Sequence, residues 1–217
     1  MIRVRATFEK CGRARYISHL DLNRCMLRIF RRSRLPIWYT EGFNPHPYYS
    51  FALALSLGFE SCCEILDFNL NEDIPFDEIK DRMNAVMPEG MRIISVAEQK
   101  QKITAITEAE YSFSLLSSDA DRLYDDINAL LALPEILMEK KTKKGIKTVD
   151  IKPSIKIMSC EKSGDSVNMS IRLPAGTQTN FNPTLFTDAL KNMNGVDFEV
   201  PIIRRTGIFC ENNEIFS

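Results

Sequence analysis

Ile2-Arg3-Val4-Arg5-Ala6-Thr7-Phe8-Glu9 follows Met1, and in this stretch apolar and polar residues alternate. A period of two predicts a strand with one buried face. Ser18 and Asp21 follow at the spacing that caps the first turn of a helix. An apolar stripe then recurs at helical intervals, formed by Leu22, Met26, Ile29 and Phe30. We therefore expect a strand at 2–9 that leads into an amphipathic helix at 17–33.

Four further elements are predicted before residue 97. The patterns predict strands at 51–57, 63–70 and 91–96, and a helix at 75–87. The resulting order is strand, helix, strand, strand, helix, strand. This order is typical of a ferredoxin-like unit, which consists of two consecutive βαβ motifs of the split type.

The same order of elements is predicted to return after a polar segment at 98–109 that suits a linker. Helices are expected at 119–131 and 183–193, and strands at 110–116, 136–139, 146–151, 155–160, 167–173 and 198–203. This round has one extra hairpin, whose tip carries Lys140, Lys141, Lys143 and Lys144. We predict an α+β fold of two tandem ferredoxin-like units with mainly antiparallel sheets, as domains 1–97 and 110–217.

The composition is that of an ordinary globular protein, with 44% hydrophobic and 26% charged residues among 217. No apolar run approaches the roughly 18 residues needed to span a bilayer, and the first residues lack the apolar stretch of a signal peptide. We expect a cytoplasmic protein that does not enter a membrane. Six cysteines form no CxxC pair and no CxxxCxxC motif, which predicts reduced, mostly buried thiols and no metal site or cofactor.

Charge is unevenly distributed along the chain, although the net charge is only -1. Residues 1–50 hold ten Arg or Lys against three Asp or Glu, whereas residues 51–97 hold three against nine. A basic stripe on the first helix consists of Arg24, Arg28, Arg31 and Arg32. It could be an ordinary solvated face. However, the helix has no glutamates at the i,i+4 positions that would neutralise it, so we expect it to bind anions such as phosphates.

A second feature follows this helix directly, the stretch Tyr39-Thr40-Glu41-Gly42-Phe43-Asn44-Pro45-His46-Pro47-Tyr48-Tyr49-Ser50. Its prolines disfavour helical geometry in the residues that precede them, so the backbone runs extended. Gly42 suits a positive φ or the close approach of a ligand. The stretch could be a stiff connection in which His46 only caps. Its other interpretation is a ligand-facing loop, in which Phe43, Tyr48 or Tyr49 stacks on a base or ring and Asn44 and His46 donate hydrogen bonds.

Two smaller groups of polar residues have competing interpretations. Ser18, His19 and Asp21 lie too close within one helical turn to align as a hydrolase triad, so we expect capping and an anion contact at the positive end of the helix. Asp150 and Lys152 lie in a lysine-rich segment. Asp150 is either the partner of a lysine or an acid or base acting on RNA.

The chain resembles the bacterial radical-SAM-linked family known as domain of unknown function 2344. The resemblance is carried by Arg15-Tyr16-Ile17-Ser18-His19-Leu20-Asp21, by Glu41-Gly42-Phe43-Asn44-Pro45-His46-Pro47 and by Val149-Asp150-Ile151-Lys152-Pro153. It implies a domain fused to, or encoded beside, a radical SAM protein with a cobalamin-binding region. Because this chain has no cluster motif of its own, the implied role is to present RNA or a ribosomal component to a separate partner enzyme.

Two functions are therefore expected from the sequence. The first is a non-catalytic accessory module whose substrate or anion contacts come from Arg15, Ser18, His19, Asp21, Arg24, Arg28, Arg31, Arg32, Gly42, Phe43, Asn44, His46, Asp150 and Lys152. The second is an RNA-modifying enzyme of the pseudouridine-synthase-like type, in which Asp21 or Asp150 is the nucleophile. No residue is assigned to catalysis under the first hypothesis.

Overall fold

The computed structural model describes residues 1–142, 145–177, 179–193 and 195–217. Within these ranges the chain is a mixed α+β protein with four α-helices and mainly antiparallel strands, which confirms the predicted fold class at that level. The chain divides into two compact units. Unit 1 comprises Met1–Ile106 with Arg204–Ser217, and unit 2 comprises Thr107–Ile203. No helix among the described residues is both long enough and apolar enough to cross a bilayer.

Unit 1 contains a sheet with two helices. Its elements up to residue 98 are β1 (Ile2–Lys10), α1 (His19–Ser33), β2 (Tyr49–Phe51), β3 (Glu60–Leu70), α2 (Phe76–Asn84) and β4 (Met91–Glu98). β1 pairs antiparallel with β3 on one side and with β4 on the other. β2 pairs antiparallel with the second half of β3. The strand order across this part of the sheet is therefore β4-β1-β3-β2.

The alternation in β1 and the stripe on α1 build the core of unit 1. Val4, Ala6 and Phe8 are buried from β1, and they belong to one cluster with the buried residues of the helices, Leu22, Met26, Ile29, Phe30, Ile79 and Met83. The cluster also takes every second residue of β3 from Leu66 to Leu70. Because side chains alternate across a strand, the intervening residues of β1 and β3 face away from α1 and α2.

A strand from the end of the chain completes the sheet of unit 1. β10 (Ile203–Cys210) pairs parallel with β3, so that Arg204 lies opposite Glu60 and Arg205 opposite Ser61. The position of β10 in unit 1 differs from the predicted domain 110–217, and its bounds differ from those of the predicted strand at 198–203. The physical reason is electrostatic, because Arg204 and Arg205 form ion pairs with two buried carboxylates of β3.

β2 is shorter than the predicted strand at 51–57, and it begins two residues earlier. The Ala52 N–H still donates to the Ile65 carbonyl of β3 at 3.1 Å. The backbone then leaves the sheet, because the carbonyl oxygens of Leu53 and Ala54 accept hydrogen bonds from the guanidinium of Arg205, at 3.1 and 2.7 Å. A buried cation thus satisfies carbonyl groups that a neighbouring strand would otherwise bind.

Unit 2 holds the remaining elements. They are β5 (Ile106–Leu116), α3 (Ala120–Ala132), β6 (Leu137–Thr142), β7 (Gly145–Asp150), β8 (Lys156–Ser163), β9 (Ser166–Pro174) and α4 (Thr184–Asn192). β9 pairs antiparallel with β5 and β8, and β6 pairs with β7 as a separate hairpin. Lys143 and Lys144 of the predicted hairpin tip lie outside the described residues. The predicted linker at 98–109 is partly ordered, since a short 3₁₀ helix and the start of β5 fall within it.

The core of unit 2 lies between its sheet and its helices. Buried side chains come from α3 (Leu123, Ile127 and Leu130), α4 (Phe186, Ala189 and Leu190) and alternate positions of β5 and β9. The rings of Phe113 on β5 and Phe186 on α4 lie 6.4 Å apart between centroids. The side chain of Asp119 caps α3 by accepting a hydrogen bond from the backbone N–H of Arg122.

Candidate functional site

The first turn of α1 is closed by a small polar network. The Ser18 hydroxyl accepts a hydrogen bond from the Asp21 backbone N–H at 3.1 Å and donates one to the Asp21 carboxylate at 2.8 Å. Asp21 also pairs with Arg24 at 3.0 Å. The hydrogen bond from Ser18, followed by the one from Arg24, lowers the pKa of Asp21. These contacts match the predicted capping role of Ser18.

His19 lies beside this network and faces β2. Its ring meets the ring of Phe51 edge-on, with 5.5 Å between centroids. The Tyr49 hydroxyl donates a hydrogen bond to the Asn23 side-chain oxygen at 3.1 Å. The strand that follows the Gly42–Pro47 loop is therefore attached to the first half of α1 through side chains of both elements.

Three arginines of the predicted basic stripe extend from α1 without an acidic partner. Arg28, Arg31 and Arg32 are exposed, and no ion pair within the described residues involves any of them. Arg28 and Arg32 border a cavity of about 250 Å³, whose other walls are Cys25, Ile29 and residues 85–88. Of the four arginines in the stripe, Arg24 alone is neutralised locally, by Asp21.

The loop between α1 and β2 is a hairpin-like projection. Tyr39 and Pro47 form an isolated antiparallel bridge, and the Tyr48 N–H donates to the Trp38 carbonyl at 3.0 Å. The rings of Trp38 and Tyr48 pack edge-on at its base, 5.5 Å apart. Pro47 is buried here, whereas residues 41–46 are exposed. The two arms of the loop are thus held together at Tyr39 and Pro47, whereas the backbone bends at residues 42–44, where an extended course was predicted.

The tip of this loop presents its side chains outward. Gly42 has a φ of +126°, and the space around it is open, so it supplies the positive φ and not a close approach. Phe43 is fully exposed. His46 Nδ1 lies 3.1 Å from the Thr40 hydroxyl, which can donate or accept, and 3.2 Å from the Asn44 carbonyl oxygen, which only accepts. This contact holds the imidazole against the loop and leaves Nε2 as the nitrogen that can meet a ligand.

Residues 3–183 match a family described as uncharacterized proteins conserved in bacteria, DUF2344. The chain belongs to this family. A search of curated proteins found no match.

The DUF2344 chain also resembles solved structures. One of them, a Cbf5–Nop10–Gar1 complex, has a TM-score of 0.50 and 12% sequence identity to it. The likeness covers 96% of this chain and 50% of that chain, so the DUF2344 chain spans about half the length of the protein it matches. At this identity the likeness concerns the fold alone.

The remaining motif residues of the DUF2344 chain have local structural contacts. The Arg15 guanidinium lies 4.8 Å from the centre of the Tyr16 ring and donates to its hydroxyl at 2.7 Å. Asp150, in unit 2, accepts hydrogen bonds from the backbone N–H groups of Ile136 and Lys152, at 2.8 and 3.0 Å. The Lys152 ammonium donates to the Leu133 carbonyl. Asp150 thus closes the base of the β6–β7 hairpin, where an ion pair was the expectation.

A set of buried charges in unit 1 was missed by the sequence patterns. Arg205 and Glu64 pair at 2.8 Å with 2% of each side chain exposed, and burial lowers the pKa of neighbouring Lys10. Lys10 donates to the carbonyl oxygens of Ile17 and Arg15, at 3.0 and 3.4 Å. The available signal was three acids in the segment that forms β3, Glu60, Glu64 and Asp67, and two adjacent arginines, Arg204 and Arg205.

The cysteines differ from the expectation that most are buried. All six are free, yet only Cys210 is buried and Cys62 is exposed. Cys62 and Cys63 both lie opposite Glu9 in a bulge of β3, with their sulfur atoms 3.6 and 3.7 Å from the Arg205 carbonyl oxygen. A hydrogen bond from the Cys63 thiol lowers the pKa of Cys62 to about 6. Within the described ranges, no cluster of His, Cys, Asp or Glu is arranged to hold a metal ion.

Proposed function

We propose that this DUF2344 protein is a non-catalytic recognition module that binds RNA through unit 1. The observation that carries the proposal is the row of exposed arginines on α1, Arg28, Arg31 and Arg32, which have no acidic partner in the described part of the chain. A helix face used only for solubility normally carries both signs of charge. A row of one sign attracts phosphates, whose contacts supply most of the sequence-independent affinity for nucleic acids.

The exposed loop tip supplies the second part of the proposed contact. Phe43 offers a ring with both faces in solvent, and aromatic faces stack on the bases of single-stranded RNA. Asn44 and the Nε2 atom of His46 add hydrogen-bonding groups beside it. Because the bridge between Tyr39 and Pro47 fixes the base of the loop before any ligand binds, less conformational entropy is lost on contact.

The experiment is a salt titration of RNA binding by the full chain. The triple variant Arg28→Gln, Arg31→Gln, Arg32→Gln removes three phosphate contacts. Each contact contributes about 0.7 to the slope of log K against log salt for a single strand, so the slope should fall by about 2. A matched triple variant with lysine at the same positions keeps the charge and should keep most of the slope. Binding that is independent of salt, or a slope unchanged in the glutamine variant, would exclude this interface.

A radical SAM protein is the proposed partner, and the cytoplasm is the proposed location. The support is the family signature around Gly42–Pro47 together with the lack of any cluster motif in this sequence. A tagged pull-down from the native cell, with mass spectrometry and RNA sequencing of the same eluate, tests both parts. Recovery of RNA without any protein that carries a radical SAM cluster motif would remove the partner from the proposal.

Both units are proposed to be ferredoxin-like. The support in unit 1 is the strand order β4-β1-β3-β2, with every neighbouring pair antiparallel. In unit 2 it is the order β5-β9-β8 with α3 and α4, to which the β6–β7 hairpin is the addition.

Catalysis on RNA stays the alternative. Asp21 and Asp150 are both engaged in local hydrogen bonds, which favours structural roles for them. Release of tritium from C5 of uracil in total RNA, lost on changing either aspartate to asparagine, would establish the enzyme hypothesis instead.

A further inference from the structure

We propose that a pocket on the sheet face of unit 1 opposite α1 and α2 holds one unpaired nucleobase. This inference rests on the proposed function and names the form of RNA that unit 1 takes. The pocket has a volume of about 430 Å³ and is lined by Met1, Arg3, Trp38, Tyr48, Ser50, Asp67, Phe68, Asn69 and Gln99. Its size lies within the range of about 300–1,000 Å³ that is usual for small-molecule sites, and it is large enough for one nucleotide.

The aromatic side of the pocket is fixed before any ligand arrives. The Trp38 N–H donates to the Asn69 carbonyl at 2.8 Å, and the Tyr48 N–H donates to the Trp38 carbonyl. The two rings meet at 72°, so each offers a face or an edge to the cavity, and Tyr48 is 52% exposed. Bases of every type stack on such rings because every base has a π face.

The polar floor of the pocket contains a side chain whose hydrogen-bonding capacity is only partly used. Asn69 is 5% exposed, yet its amide nitrogen donates only to the Met1 sulfur at 3.4 Å, and sulfur is a weak acceptor. Its amide oxygen accepts no hydrogen bond from the residues that the structure describes. A buried side-chain amide normally has its partners. A donor and an acceptor side by side complement the edge of a base, which carries the same pair in reverse.

The charges around the pocket fit an anionic nucleotide. The Asp67 carboxylate is neutralised by Arg5, which donates at 2.7 and 2.8 Å, and it accepts a further hydrogen bond from Gln99 at 3.0 Å. It therefore does not repel a phosphate strongly. Arg3 is exposed on the same face, and no ion pair among the described residues uses it. Arg3 is the group that would meet the phosphate of the bound nucleotide.

The occupant must be an unpaired base and not a duplex. In a double helix the faces of a base are covered by its neighbours and its edge is paired, so neither the Trp38–Tyr48 rings nor the Asn69 amide could reach them. An unpaired nucleotide presents the face and the edge of its base at once. Unit 1 should therefore prefer single-stranded RNA or a loop to duplex RNA of equal length.

Trp38 makes the test direct, because it is the single tryptophan of the chain. The full protein is titrated with the four nucleoside monophosphates, with a single-stranded RNA and with a duplex of equal length, and tryptophan emission is recorded. We expect quenching by the monophosphates and the single strand, and at least 10-fold weaker affinity for the duplex. Asn69→Ala and Tyr48→Ala should each weaken monophosphate binding at least 10-fold.

The control is Tyr39→Ala, which removes a tyrosine of similar exposure from the same loop but outside the pocket. It should leave monophosphate binding unchanged. Arg3→Gln, a surface change that spares the fold, should weaken binding of monophosphates more than that of the free nucleosides. Far-UV circular dichroism verifies that each variant is folded. If Asn69→Ala does not fold, the effect of Arg3→Gln on monophosphate binding is the test of the pocket.

The possible outcomes separate this inference from the proposed function. If RNA binds through the arginines of α1 but no nucleotide quenches Trp38, the pocket assignment is wrong and the proposed function stands. If monophosphates quench Trp38 in an Asn69-dependent way but no RNA binds, the pocket stands and the proposed function fails. If no RNA binds and no nucleotide quenches Trp38, both the pocket assignment and the proposed function are wrong.

Discussion

Replacing Glu64 by glutamine should destabilise unit 1 far more than replacing an exposed charge. In the native protein Glu64 accepts a hydrogen bond from Arg205 at 2.8 Å, and 2% of each side chain is exposed. Lys10 is buried nearby. Glu64→Gln keeps the shape but removes the charge that pairs with Arg205 and that acts on neighbouring Lys10. Removing one member of a buried pair typically costs about 3–5 kcal/mol.

The size of this effect can be measured in urea with Trp38 as the reporter for unit 1. With a slope of about 1–3 kcal/mol per molar urea, a loss of this size moves the midpoint down by about 2 M. The double variant Glu64→Leu, Arg205→Met should be destabilised by less than the sum of the two single changes, because it leaves neither member of the pair as an unpaired buried charge. Its remaining loss comes from the Leu53 and Ala54 carbonyl oxygens, which no longer accept hydrogen bonds from Arg205. This non-additivity distinguishes an unpaired charge from a packing defect.

The matched control is Arg24→Gln, which removes one member of an ion pair whose side chains are 62% and 59% exposed. Water already solvates both charges there, so the midpoint should stay close to that of the native protein. The reasoning is refuted if Glu64→Gln and Arg24→Gln have the same midpoint, since burial would then not determine the cost.

Three further results are expected. Iodoacetamide should alkylate Cys62 with a midpoint near pH 6, its lowered pKa, as mass spectrometry would detect; a midpoint near 9 contradicts the Cys63 hydrogen bond. Gly90→Ala should lower the urea midpoint more than Gly42→Ala, because a Cβ at Gly90 lies 2.4 Å from a backbone oxygen whereas the space at Gly42 is open; equal midpoints contradict this. Phe43→Ala should leave the midpoint unchanged but weaken single-stranded RNA binding about 10-fold, and unchanged affinity in filter binding would remove Phe43 from the interface.

Local patterns predicted the helices well. The predicted helix at 17–33 is His19–Ser33 with Ser18 as its cap, and the one at 119–131 is Ala120–Ala132 capped by Asp119. Both begin at a side chain that accepts a backbone hydrogen bond, and both bury a stripe of period 3.6. Such information lies within a few residues along the chain, so the sequence is enough to recover it.

Contacts between distant residues could not be recovered in the same way. Glu64 and Arg205 are 141 residues apart, and no periodicity connects them. The end of β2 depends on the same arginine, which explains why the predicted strand at 51–57 was too long. From the sequence, Asn69 is only a polar residue in the strand predicted at 63–70. Its place in the lining of the pocket depends on residues far along the chain, so the pattern could not predict it.

The parallel pairing of β10 with β3 constrains when the protein can fold during its synthesis. Unit 1 needs residues 204–217, which leave the ribosome only after the whole of unit 2 has been made. At about 5–20 residues per second, the intervening stretch of roughly a hundred residues takes about 5–20 s. During that time the nascent chain holds Glu60 and Glu64 without their arginines. Unit 2, which is continuous in sequence, is therefore free to fold first, although it is the second to be translated.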